Sequence, residues 1–177
     1  MNILPVYSGQ NGGSEYEMQD QLMDLLHKKS FHMTPENHYI GKKAKIYKEV
    51  RIPNIGRISD IIVHVTDRVI INIECKLVDY TVVFEQAKDH LYWADYSYIC
   101  ICPSACLPNY VFHKIIMQGI GLIYWFGNNQ FVEVLQAYKN KKYSKEMRPV
   151  MLKILKSKQQ KLTGLEENEG QLLLDDK

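Results

Sequence analysis

The sequence predicts an α/β fold, a mixed central β-sheet flanked by α-helices. Three observations carry that expectation. Apolar residues recur with period two in short runs and with helical spacing in others, and the two kinds follow each other along the chain. Pro53, Pro103 and Gly127-Asn128-Asn129 punctuate the runs as strand ends and turns. The 177 residues suit one domain with a self-sufficient core, and 46% hydrophobic with 24% charged residues is ordinary globular composition.

A flexible lead-in is expected over 1–13, through Tyr7-Ser-Gly-Gln-Asn-Gly-Gly13. Ser14-Glu-Tyr-Glu17 reads as a capping box, with Ser14 as cap and Glu17 reaching back. The helix it opens should run to about Lys29 on a stripe of Met18, Leu22, Leu25 and Leu26, with Glu15 and Gln19 together on one face. A first strand follows from Lys45 to Ile52, stopped by Pro53.

Two further strands contain the most informative residues. Along Ile58 to Val65 and Val69 to Lys76, the odd positions Ile61, Val63, Val65, Val69, Ile71, Ile73 and Cys75 are apolar. Asp60, His64, Asn72, Glu74 and Lys76 are even and polar, so both strands should bury their odd face. A three-residue loop, Thr66-Asp67-Arg68, lets both bury the same parity by pairing Val65 with Val69. Asp60 then opposes Glu74, with the Cβ atoms roughly 5 Å apart, and Lys76 lies two residues on. Like charges so opposed are destabilising, which makes sense if a divalent cation with hard oxygen ligands, such as Mg²⁺, lies between them.

The remaining elements are a helix from about Val82 to Asp95 (inner stripe Phe84, Ala87, Leu91, Ala94), a strand Tyr98 to Cys102 and a helix Asn109 to Gln118. Strands Gly121 to Phe126 and Gln130 to Leu135 should flank a hairpin turn. The core is thus expected over 14–136, an antiparallel meander completed by a crossover helix and a roughly parallel strand. A basic helical segment, 137–163, and an acidic, flexible tail, 164–177, should follow. Between Tyr138 and Lys161 nine lysines and arginines face one acid, Glu146, although the whole chain is only +2.

Asp60, thirteen intervening residues and Glu74-Cys75-Lys76 resemble the PD-(D/E)XK nuclease superfamily, whose core places an acid on one strand and E-x-K on the next. Phe84 to Pro103, with Gln86 near its start and Ala94-Asp95 followed by Tyr98, is similar to that family's following helix and strand, as is Gly119-Ile-Gly121-Leu-Ile-Tyr-Trp125 to its next strand. Ser59 stands where proline is usual, and His90 where relatives often carry tyrosine. The resemblance implies a restriction-endonuclease-like core and a metal-dependent nuclease acting on DNA, with RNA left open. Mg²⁺, for which Mn²⁺ would substitute, would be held by Asp60, Glu74 and the Cys75 carbonyl, with Lys76 orienting the attacking water. Glu15 is the candidate for an additional acid and metal ligand, since capping already accounts for Glu17, and Gln86 for a contact from the second helix. Arg57 and the terminal Lys153, Lys156 and Lys158 are expected on phosphates, and a homodimer is expected if both strands are cut.

Two alternatives belong to other classes. One is a catalytically inactive nucleic-acid-binding module on the same scaffold. The other is a zinc-stabilised interaction domain built on Cys100, Cys102, Cys106 and His113, whose spacing matches no recognised zinc pattern. The four cysteines all fall in or beside apolar runs, which suits buried hydrophobes in a reducing cytoplasm better than disulfides. No stretch approaches about 18 consecutive apolar residues, and Met1-Asn-Ile-Leu-Pro lacks the basic flank of a signal peptide. No Gly-x-Ser-x-Gly or phosphate-cradling loop is present, which sets serine hydrolases and nucleotide binders aside.

Overall fold

The computed structural model describes residues 13–31, 33, 44–53, 55–103, 107–141 and 144–172. The chain forms two compact units, Met1–Tyr143 and Ser144–Lys177. The first contains helix α1 (Glu15–His27), strands β1 (Lys45–Ile52), β2 (Arg57–Thr66) and β3 (Val69–Lys76), helix α2 (Tyr80–His90), strand β4 (Tyr96–Ile101), helix α3 (Asn109–Gln118), and strands β5 (Gly121–Trp125) and β6 (Phe131–Leu135). The second contains helix α4 (Met147–Leu172). The fold is α/β: a six-stranded mixed sheet in the order β1-β2-β3-β4-β5-β6, with four helices among the described residues. The pairs β1/β2, β2/β3 and β5/β6 are antiparallel, and β3/β4 and β4/β5 are parallel.

The expected period-two patterning holds for the odd face and is incomplete for the other. Ile61, Val63, Ile71, Ile73 and Cys75 pack with Tyr98, Cys100 and Ile123 beneath Met18, Leu22 and Leu26 of α1. The even face, expected to be polar, is covered as well: Ile99, Ile101 and Leu122 pack under Val83, Phe84 and Ala87 of α2 and Val111 and Ile115 of α3. A sheet with parallel central strands has helices on both faces, so its strands lose simple alternation. On β3 all residues but Lys76 are buried, Asn72 and Glu74 included. A buried polar chain serves Asn72: Ser59 Oγ donates to Asn72 Oδ1 (2.5 Å), Asn72 Nδ2 donates to Ser97 Oγ (3.1 Å), and Ser97 Oγ donates to the Ala87 carbonyl (2.8 Å).

The register is the expected one over Ile61↔Ile73, Val63↔Ile71 and His64↔Ile70. Its turn differs. Thr66, not Val65, pairs with Val69, so Val65 is bulged and Asp67-Arg68 alone close the hairpin. The α1 cap is half as expected: Ser14 Oγ accepts from Glu17 N–H (3.1 Å), but the Glu17 carboxylate accepts from Gln21 Nε2 (2.9 Å) instead of reaching back. α2 begins two residues earlier than expected, capped by Asp79, and ends at His90. The first unit continues past 136 to Tyr143. The helical segment, expected to end at 163, runs on instead: α4 continues through Gly164 and Gly170 to Leu172. Each glycine costs only about 1 kcal/mol in a helix interior, and Leu165, Glu166, Glu167 and Glu169 between them are good helix formers. The lead-in 1–12 lies outside the described residues.

Candidate active site

The ends of β2 and β3 bring the expected residues together, by a less regular route than alternation alone. The β2/β3 ladder stops at Ile61↔Ile73, and Asp60 Oδ2 accepts the Cys75 N–H at 2.7 Å, so this carboxylate lies against the β3 backbone. Ser59, an odd residue, reaches Asn72 on the even face, so side-chain alternation in β2 breaks at Asp60. On β1 the matching irregularity is Glu49, a non-glycine residue at φ 49°, between the pairs Lys48↔Ile61 and Val50↔Ser59. Such left-handed residues are strained and cluster at functional sites.

Glu74 points under α2 and is completely buried. Its Oε1 lies 3.1 Å from His90 Nε2, which is also fully buried, but the approach is too far off line for a good hydrogen bond. Neither Glu74 oxygen has a hydrogen-bond donor. His90 Nδ1 accepts from the Trp93 indole N–H at 3.1 Å, which leaves Nε2 as the proton-bearing nitrogen turned toward Glu74. Lys76 curls over the end of the sheet, and its Nζ meets Glu15 Oε2 at 2.6 Å, at the start of α1. Glu15 and Glu17 are thereby distinguished: the first joins the site and the second stays on its own helix.

The electrostatics follow from this crowding. Burial, and then the Glu74 charge beside it, push the Asp60 carboxyl up from 3.8 to about 7, against the lowering effects of the Cys75 N–H and Lys76. Burial works against the charge on Lys76, but the Glu15 hydrogen bond and the surrounding carboxylates prevail and raise its pKa. The Cys75 thiol is raised by its contact with Cys100, then by burial. Its side chain is a core element, as expected, and Cys100 also touches Met18 Sδ (3.4 Å).

Gln86 precedes His90 by one turn of α2, and its Oε1 is another buried acceptor without a donor. Among the described residues, no hydrogen bond or ion pair joins Gln86 to Asp60, Glu74 or Lys76. Gln19, one turn on from Glu15, is buried with its Oε1 equally unsatisfied. Arg57 is half-buried and committed to Asp89, with Nε at 3.0 Å from Oδ2. In the second unit, Lys153 and Lys156 are exposed and share one side of α4, whereas Lys158 is turned about 140° from Lys153. Among the described residues no three His, Cys, Asp or Glu side chains form a ready-made metal cluster. Cys106, one of the expected zinc ligands, lies outside them.

His90 and Trp93 are what the sequence reading missed as site residues. The signal was there in a histidine and a tryptophan three residues apart, but on a helix such a pair reads first as core packing.

No family model matches the chain, and no curated protein matches it. A solved protein of unknown function from Silicibacter pomeroyi is similar at a TM-score of 0.49 and 20% identity, over 72% of this chain and 82% of that one.

Proposed function

We propose that this protein is a metal-dependent nuclease that hydrolyses DNA phosphodiester bonds at the Asp60, Glu74, Lys76 site. The observation that carries the reading is the Glu74 carboxylate, fully buried with no well-aligned hydrogen bond on either oxygen and only the off-line His90 imidazole near it, beside an Asp60 whose ionisation is held back by burial and by Glu74. A buried anion so poorly hydrogen-bonded is costly. A cation among these acceptors removes the cost, and the donor set, all oxygen, suits Mg²⁺ or Mn²⁺. Asp60, Glu74 and the Cys75 carbonyl would hold the ion, with Glu15 close behind on Lys76. The resemblance of Asp60 and Glu74-Cys75-Lys76 to the PD-(D/E)XK superfamily supports the same conclusion.

Bound there, the ion would polarise the phosphate and acidify water. Lys76, steadied by Glu15, directs its ammonium to the phosphate and the incoming water. His90, fixed through Trp93, orients the Glu74 carboxylate from behind. A bond forms between water oxygen and phosphorus, the bond from phosphorus to the 3′ oxygen breaks, and the leaving oxygen takes up a proton, giving 5′-phosphate and 3′-hydroxyl ends. Arg57 serves to tie β2 to α2 through Asp89, while Lys153 and Lys156 remain the phosphate contacts of α4. Among the described residues no helix is long and apolar enough to cross a membrane. The thiols of Cys75 and Cys100, buried and free, suit a reducing compartment such as the cytoplasm.

The Lys76–Glu15 ion pair favours a second reading, an inactive nucleic-acid-binding module in which that lysine is structural. Cleavage of linear duplex, single strand, flap, four-way junction and RNA with Mg²⁺, Mn²⁺ or chelator decides between them. Cutting that requires the metal and disappears in Asp60→Asn supports the nuclease. Binding without cutting under every metal condition leaves the module.

A further inference from the structure

The basic run that begins at Lys139 does not all belong to the terminal helix. Lys139 and Lys141 fall in the first unit, where with Lys88, Tyr92, Met117 and Tyr138 they line a groove of about 750 Å³, within the range of ligand sites. Tyr92 is 59% exposed, Tyr138 65% and Met117 70%. Apolar and aromatic surface gathered in one concavity differs from the scattered exposure that needs no explanation. The acid on its wall, Asp89, is neutralised by Arg57, and Lys88 is paired with Glu85. Lys139 and Lys141 therefore set the sign of the rim.

The walls are held in place. Tyr138 N–H donates to the Gly119 carbonyl at 2.9 Å. Gly119 has φ +68°, and a Cβ there would stand 3.2 Å from the Tyr138 Cβ, so its bare backbone permits the close approach. Asn140 donates its side-chain amide to the Leu91 and Ala94 carbonyls and its N–H to Asp95 O (2.7 Å). The tyrosines thus sit on a backbone already ordered, which lowers the entropic cost of binding. The groove also adjoins the candidate site through the last turn of α2. Asp89 bonds Arg57, three residues from Asp60, and the next residue, His90, meets Glu74.

We propose that this groove takes a single-stranded nucleic-acid segment, with unpaired bases stacked on Tyr92 and Tyr138 and phosphates held by Lys139 and Lys141. Aromatic faces with an ammonium rim fit a ligand of flat rings and negative charge. The bases of an intact duplex have their faces occupied by their neighbours, so stacking selects the unpaired strand. The choice of nucleic acid as ligand rests on the nuclease reading of the adjoining site.

The test is fluorescence anisotropy of the full chain with a labelled single-stranded oligonucleotide and with a hairpin duplex, both in chelator so that hydrolysis plays no part. Tyr92→Ala and Tyr138→Ala should each weaken single-strand binding by about 5- to 150-fold. Tyr→Trp at either position should preserve it, and duplex binding should change less than about twofold. Lys139→Ala with Lys141→Ala should lower the log–log salt slope by about 1.4. Single-strand affinity unchanged in both alanine variants overturns the proposal. So does self-association of the wild type that these variants abolish while oligonucleotide binding stays absent, which gives the groove to a second copy of the chain. The two readings fail separately: a wild type that cuts nothing while the tyrosine variants lose single-strand binding ends the nuclease reading alone. One that cuts, with variants that bind normally, ends the groove assignment alone.

Discussion

Asp60 has two roles that pull in opposite directions, and substitution separates them. Asn at this position keeps an oxygen for the Cys75 N–H and removes a charge from beside Glu74, so Asp60→Asn should abolish cleavage while stabilising the metal-free protein by about 1 to 3 kcal/mol at pH 8. Chemical denaturation in chelator measures the second effect, and a destabilised variant would refute the picture of opposed carboxylates. The sign of the pH dependence follows. The folded-state pKa of Asp60, about 7, lies above its ordinary 3.8, so its contribution to stability is fully present below about pH 4 and is lost as pH rises through 7. Metal-free wild type should therefore gain stability relative to Asp60→Asn on acidification across that window. Mg²⁺ must displace the same proton, so its affinity by calorimetry should fall below pH 7 with proton release. Trp93→Phe deletes the donor to His90 Nδ1 and should raise the Mg²⁺ concentration needed for half-maximal cleavage by roughly 10- to 100-fold, at a stability cost of about 1 to 3 kcal/mol. Unchanged metal dependence would confine His90 and Trp93 to packing.

At the scale of the element, β2 and β3 were the most legible part of the chain. Their period-two pattern correctly gives the register over Ile61 to His64 and the buried odd face, because that face meets the single apolar stripe of α1. Alternation could not show that Asp60 leaves its face to bond the Cys75 N–H, since this depends on the distortion across the ladder at Glu49. Nor could it show that Glu74 is buried, which depends on α2 lying over the even face. The ends of α2 were blurred because Asp79 caps a helix whose first turn, Tyr80-Thr81-Val82, has β-branched residues that read as strand. On α4 the shared side of Lys153 and Lys156 predicts a phosphate contact without base selectivity. Lys153→Glu with Lys156→Glu should weaken binding of unrelated DNA sequences alike and flatten the salt dependence by about 0.9 per contact on a duplex. Anisotropy at several salt concentrations checks this, and superimposable curves would make the pair a solvated face.

Over the whole first unit, both faces of one sheet are closed by helices, and small residues allow the closure. At Gly121 of β5 any Cβ would overlap the Tyr98 ring of β4, whose hydroxyl donates to Glu133 Oε1 at 2.7 Å and accepts the Ala137 N–H at 3.3 Å. Gly121→Ala should cost about 1 to 3 kcal/mol or more through overpacking, and a thermal midpoint within error of wild type would show that the ring can move aside. The fold class was legible because it needs only the order of periodicities. The division of the basic run was not, because Lys139 and Lys141 are assigned by the backbone bonds of Tyr138 and Asn140, which no composition count contains. The sheet order has a consequence for how the molecule is made. Strands lie side by side in the order in which they are synthesised, so each strand leaving the ribosome finds its partner already waiting, and each new edge waits only for the strand made next. Assembly can proceed vectorially from β1, with Asp60 and Glu74 meeting before α2 closes over them, at a stage when water still screens their repulsion.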